Sequence, residues 1–336
     1  MTAQSSRSVR SAPAAGSLPD AAAADAMLGR LAAVDGGRRR LRLLTGGLTN
    51  RNYRVTTDTG RSYVARFSSV KSGLLAIDRA AEHRNSRLAA EAGVGPAVVG
   101  FAPDDGLLVV EWIEGKTFCD ADLDDAETLT RIAGLCRRLH AGPRFVGDFD
   151  MFDVQRRYLA IVLESGFRIP EDYRSFEPAV REIEAVLRAS SLGTVPCHND
   201  LLAANIMDDG QRLWFIDYEY SGNNDPGFEL GNIWSEAALP PDRLDHLVTA
   251  YFGAPSPVQT ARARLFALMS KYGWTLWASI QDAVSDVDFD FWDWGMAKYV
   301  RARAEFRSPE LDDLITTIRR SIDIEGAAPW PTPPSN

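Results

Sequence analysis

Only three cysteines occur in the 336 residues, Cys119, Cys136 and Cys197, and neither their odd number nor their spacing suits a disulfide framework or a metal site. Reduced thiols are the expectation, as in a cytoplasmic protein. No run approaches the roughly 18 apolar residues that a membrane span needs. The first 24 residues also lack the apolar centre of a signal peptide, so no membrane insertion is expected. Basic charge is short as well: 37 Lys and Arg against 46 Asp and Glu give a net charge of −9, which leaves no cationic face for a phosphate backbone. Nucleic acid is therefore not an expected partner, whereas a small cation suits this field.

What is present is a globular composition, 45% hydrophobic and 25% charged, on a chain long enough for two lobes around a cleft. Residues 1–24 are rich in Ser, Ala and Pro and predict a disordered leader. The tail "GAAPWPTPPSN", 326–336, predicts a loose, flexible end. Between them, "RLRLLTGGLTNRNYRVTTDTGRSYVARFSS" reads as three strands, with "DTG" a hairpin signal. A helix is expected from about Asp78 to Gly93, followed by strands in "AVVGFA" and "GLLVVEWI". These make residues 25–114 a small antiparallel-sheet lobe with one helix. From 115 to 325 the pattern is mostly helical, with apolar residues at helical spacing over 126–139, 173–189 and 244 to about 306. The fold class is α+β.

The stretch "VPCHNDLLAANIMDDGQRLWFIDYEY", 195–220, interrupts those helices and concentrates chemistry. If "NIM" and "LWFI" pair across the Asp208–Gly210 turn, Asn205 and Asp217 emerge at one open end of a hairpin. An amide oxygen and a carboxylate there are hard ligands of the kind Mg2+ takes while keeping water and phosphate oxygens. Asp200, in the loop entering the hairpin, is placed to accept a proton from a hydroxyl. Each residue alone could be a turn former. His198 and His140 read as structural hydrogen-bond partners.

The spacing His198-x-Asp200-x4-Asn205, followed by a strand ending in Asp217, resembles the catalytic loop and metal-binding aspartate of protein-kinase-like phosphotransferases. "HND" and "IDYEYSGNNDPGFELGNIWSE" within that pattern resemble the choline/ethanolamine kinases, over roughly residues 40 to 307. The resemblance implies a protein-kinase-like two-lobed fold, ATP and Mg2+ as cofactors, Asp200 as base, and Asn205 and Asp217 on the metal, with Glu219 assisting through a water. It also implies a phosphate cradle in "TGGLTNRN", with Gly46, Gly47, Thr49 and Asn50. Arg66 would face the phosphates, paired with Glu82, and the hinge "VVEWIEG" would meet adenine through Glu111 and Ile113. "VEWIEGKT" is not a Walker A loop, because Val110 stands where that motif needs glycine. Leu202, Ala204 and Glu229 depart from the commonest family residues, and none removes a catalytic group.

Trp274 and Trp277 stand three apart on one helix face, which fits either a core stripe or an aromatic wall for a cation. By the resemblance, the wall of a quaternary-ammonium site would comprise Trp274, Trp277, Phe289 and Trp294, with Glu236 as counter-charge and Trp292 as packing. The expected activity is ATP-dependent phosphorylation of the hydroxyl of choline or a related amino alcohol. Two other readings stand beside it: phosphorylation of an aminoglycoside or other amine-bearing hydroxyl compound, and a catalytically silent small-molecule binder. Oligomeric state is not encoded in these patterns, and a homodimer stays open.

Overall fold

A computed structural model describes residues 18–34, 37–45, 50–68, 74–75 and 77–325. The phosphate-cradle residues Gly46, Gly47 and Thr49, most of the expected leader (1–17) and the tail 326–336 lie outside the described residues.

Alternation of side chains builds the first lobe. Strands β1 (Arg39–Leu44), β2 (Asn50–Thr57), β3 (Ser62–Ser68), β4 (Val98–Ala102) and β5 (Leu107–Glu111) form one antiparallel sheet in the order β1-β2-β3-β5-β4. Tyr63, Ala65 and Phe67 of β3 point to one face, where they pack with Val55, Leu107 and Val109. Val64 and Arg66 therefore take the other face, beside their cross-strand partners Val110 and Leu108.

A helix, α1 (Ala21–Leu28), covers the packed face by inserting Ala24 and Leu28. The compositional expectation of disorder up to residue 24 does not hold from Leu18 onward. Asp20 caps the helix by accepting from Ala23 N, the alanines favour helix, and Arg51 and Tyr53 donate to the carbonyls of Leu18 and Pro19. Composition alone did not register that Leu28 had a sheet to pack against.

On the far side of the sheet, α2 (Arg79–Glu91) starts at Asp78, whose carboxylate accepts from Ala80 N and Ala81 N, and Gly93 follows its end with φ 72°. That capped start fixes Glu82 in the first turn, facing Arg66.

The second lobe begins at β6 (Lys116–Thr117) and holds α3 (Ala126–His140), α4 (Met151–Ser165), α5 (Glu177–Ala189), α6 (Pro226–Glu236), α7 (Pro241–Phe252), α8 (Pro257–Val284), α9 (Phe291–Phe306) and α10 (Glu310–Glu325). Helix α8 is buried around nearly its whole circumference between Ala261 and Gln281 and runs through the core, with α4, α6, α9 and α10 packed on it. The continuous helical pattern expected from 244 to 306 resolves into α7, α8 and α9, broken at Gly253 (φ 82°) and across 285–290. Helices α4, α6 and α10 were not anticipated. Among the described residues no helix is long and apolar enough to cross a membrane.

Four short strands complete the lobe. β8 (Ile206–Asp208) and β9 (Leu213–Phe215) form the expected hairpin with β6 on its edge, and β7 (Val195–Cys197) pairs with β10 (Gly222–Asn224). The hairpin docks on the first lobe through Phe215 N, which donates to Val94 O at 2.8 Å.

Candidate active site

The loop between β7 and β8 is held by backbone bonds to two buried side chains. Glu229 of α6 is fully buried, and its two oxygens accept from His198 N and Asn199 N at 2.8 Å each. Asn232, one turn on, accepts from Leu201 N at 2.8 Å. Glu229 is held below the usual carboxylate range: burial works against its charge, but the nearby His140 ring and the N–H donors outweigh it. His140 in turn bonds Tyr251 Oη at 2.7 Å, as a structural histidine should.

Asn199 adopts φ 67°, a left-handed conformation that Asn tolerates because its side chain bonds locally. Its amide donates to the carbonyls of Cys197, Tyr220 and Gly222. His198 joins this loop to the strand opposite: Nε2–H donates to Ile216 O at 2.8 Å, and Nδ1 accepts from Asp200 N at 3.3 Å. Burial pushes the His198 pKa below its ordinary value, so the ring is neutral and bridges without carrying charge.

Asn205 and Asp217 meet at the end of this framework, with the backbone of Asp200 bonded to Asn205. Asn205 Nδ2 donates to Asp200 O at 2.8 Å, which turns its amide oxygen the other way. Ile216 N donates to Asn205 O at 3.0 Å, so Asp217 leaves the hairpin beside Asn205, as the pairing register predicts. Asp217 also has φ 68°, and that turn brings its carboxylate back toward the cleft. Burial raises the Asp200 pKa well above the ordinary carboxylate value, helped by Glu236, Asp217 and Glu219 and opposed by Lys298. Asp217 is likewise raised by burial, against the pull of Arg66.

Above these groups lies a cavity of about 340 Å³ between the lobes. Val64, Leu108 and Val110 form its roof, Met207 and Ile216 its floor, and the hinge residues Glu111 and Ile113 its back. Arg66, Glu82, Asn205 and Asp217 line its polar end. The shape is a flat apolar slot opening onto charge, which suits a purine joined to a polyphosphate.

The two lobes are tied by ions at that polar end. Arg66 is paired both with Glu82 and with Asp217. Arg79, which sequence reasoning missed, donates to Glu82 Oε2 at 2.7 Å and to Glu219 Oε2 at 3.1 Å. Asn50 Nδ2 donates to the same Glu219 oxygen at 3.0 Å. Burial opposes the Glu219 charge, yet Arg66, Arg79 and Asn50 hold its pKa down. Glu219 therefore ties the two lobes together. The helical spacing of Arg79 and Glu82 was the available signal.

On the other side of Asp200 stands an aromatic cluster. The Trp277 ring meets Trp294 at 5.4 Å and Phe291 at 5.7 Å, and its Nε1 donates to Tyr220 Oη at 2.8 Å. Trp274 lies 5.0 Å from the Tyr220 ring. Trp274 and Trp277 are 4% and 6% exposed, so both belong to the α8 core as well as to this wall. Glu236, at the end of α6, pairs with Lys298 of α9, a residue the sequence reading overlooked. Phe289 stands at the edge of this cluster. It is 40% exposed and touches Phe291, which takes the inner position because Asp290 starts α9 one residue before it. Trp292 packs under Arg168.

The chain is similar to known phosphotransferases. The model of the phosphotransferase enzyme family matches residues 40–266. A choline/ethanolamine kinase family protein from Mesorhizobium loti is 30% identical, with a TM-score of 0.77 covering 88% of this chain and 98% of that one. Ethanolamine kinase 1 of Mus musculus is 28% identical over 300 residues, covering 77% of this chain and 82% of the mouse protein. Protein LicA of Haemophilus influenzae is 27% identical over 255 residues, covering 70% and 72%.

Proposed function

This chain belongs to the phosphotransferase enzyme family, within its choline/ethanolamine kinase branch, and from that premise we propose that it transfers the γ-phosphoryl group of ATP to the hydroxyl of choline or a related amino alcohol. The observation that supports this reading is that Asn205 and Asp217 line the polar end of a purine-sized slot, with Asp200 bonded to Asn205 through its carbonyl and an aromatic cluster that holds the Glu236 carboxylate in the same lobe.

Asn205 and Asp217 offer hard oxygens at the polar end of the cavity, a donor set that fits Mg2+. Bound there, Mg2+ would neutralise charge on the phosphate oxygens. The remaining roles fall to the chain itself. The backbone from Glu111 to Ile113 would meet the adenine edge, with Val64 and Ile216 on its faces. Arg66, kept in place by Glu82, would turn its guanidinium from Asp217 to the phosphates. The hydroxyl oxygen would form its bond to the γ-phosphorus as the bond to the bridging oxygen breaks, ADP departs, and the hydroxyl proton passes to Asp200. A carboxylate whose pKa is raised by burial is a stronger base toward an alcohol than an exposed one.

The test is a substrate screen. Purified protein with Mg2+ and ATP should release ADP with choline or ethanolamine and not with aminoglycosides; preference for a polyamine sugar would reject the substrate assignment.

A further inference from the structure

Lys298 stands one turn beyond Trp294 on α9, and its ammonium does two things at once. It donates to Glu236 Oε2, in a pair whose side chains are each 4% exposed, and it lies 4.1 Å from the centre of the Trp294 ring. The fold thereby supplies from within the cation that Glu236 and the Trp294 face would otherwise take from a substrate. Trp277 is committed too, edge-on to Trp294 and Phe291 and bonded to Tyr220.

What stays open is hydrogen-bonding capacity. Glu236 Oε1 and Trp274 Nε1 are both buried without a hydrogen-bond partner. Buried polar atoms are normally satisfied, so an acceptor left open beside a reaction centre points to a donor that arrives with the ligand. Glu236 is linked to that centre through packed rings: Lys298 sits on Trp294, Trp294 meets Trp277, Trp277 bonds Tyr220, and the Tyr220 carbonyl accepts from Asn199 of the catalytic loop.

The two classes of amine differ at this atom. A quaternary ammonium has no N–H to give to Glu236 Oε1 and relies on free aromatic faces beside a bare carboxylate. A primary, secondary or tertiary ammonium donates directly. Resting on the kinase reading above, we propose that the acceptor substrate is an amino alcohol whose nitrogen keeps at least one N–H, of the ethanolamine kind, with Glu236 Oε1 accepting that N–H. Lys298 is then the specificity-determining residue, because it occupies the charge and the ring face that a quaternary amine would need.

Methylation of the substrate nitrogen tests this on the wild-type protein. Along ethanolamine, N-methylethanolamine, N,N-dimethylethanolamine and choline, kcat/KM should fall most at the last step, by at least about tenfold, because there the final N–H is lost. Choline turned over as well as dimethylethanolamine would overturn the proposal and leave the kinase reading intact, whereas no turnover of any of the four would overturn both. Lys298→Met frees Glu236 and the Trp294 face, so the choline-to-ethanolamine ratio of kcat/KM should rise by at least about tenfold. A folded variant with that ratio unchanged would make Lys298 a helix-to-helix brace only. If the variant does not fold, the methylation series decides alone.

Discussion

Asp200 sets stability against chemistry. Its folded-state pKa lies above the ordinary value of 3.8, so between 3.8 and that raised value the folded state holds a proton that the unfolded chain has lost. Stability from this group is present at low pH and declines as pH rises through that window. Asp200→Asn should therefore raise Tm at pH 7, with the gain shrinking toward pH 4, while kcat falls by about 10²- to 10⁴-fold. Calorimetry and turnover on the same preparation check both halves, and a variant that loses stability at pH 7 would contradict the strain argument. The roles proposed for Asp200, Asn205 and Asp217 were readable because all three sit within eighteen residues, where spacing and a two-strand register fix their relation. Lys298 and Arg79 are equally local, at helical spacing from Trp294 and Glu82, but Lys and Arg are mostly exposed, so spacing alone does not single them out. That Phe291 packs on Trp277 with Phe289 outside it was not legible, because side-chain direction depends on where α9 begins, and that is set by the Asp290 cap.

Close packing between elements, not only side-chain chemistry, holds the site in position. Gly231 of α6 sits against α8 so tightly that a Cβ would meet Ala263 O at 2.2 Å and Ala267 N at 3.0 Å. Helix α6 carries both Glu229 and Glu236, so any displacement of it moves the loop brace and the counter-charge together. Gly231→Ala should cost at least about 1–3 kcal/mol and lower activity with it. Gly134→Ala in α3 is the control: its nearest neighbour would be the flexible end of Arg137 at 3.8 Å, and about 0.5–1 kcal/mol of stabilisation is expected from reduced backbone entropy. Equal melting temperatures for the two variants would contradict this packing account. Among elements, strands with clean alternation and helices with strong caps were legible, as β2, β3 and α2 demonstrate. α1 was hidden in a leader of low complexity, and α6 in a motif read for its chemistry and not for its periodicity.

Across the whole molecule, the lobes meet through a slot and an ionic knot. Arg66 and Glu82 are 7% and 3% exposed, and Asp217 and Glu219 hold the two arginines from the opposite lobe. Arg66→Met leaves Glu82 buried with only Arg79 as its cation, which should cost about 3 kcal/mol, and should weaken nucleotide binding as well. Wild-type protein should in turn gain about 2.7 kcal/mol of stability at a Mg2+-nucleotide concentration 100 times Kd, a gain that Asp217→Asn should largely lose. Thermal shifts with and without Mg2+ read both effects. The two-lobed plan itself was legible from the change of periodicity near residue 115. The knot was not, because its partners lie up to 169 residues apart.

The most direct measurement is pre-steady-state turnover of bound ATP by wild-type and Asp200→Asn protein in the presence of ethanolamine, with nucleotide affinity measured alongside. The account predicts phosphorylated amino alcohol and ADP in equal amounts from the wild type. From the variant it predicts nearly none, with its Kd for the nucleotide within about threefold of wild type, because Asp200 is not among the residues that line the nucleotide-sized slot. Phosphoryl transfer at the wild-type rate by Asp200→Asn would contradict it.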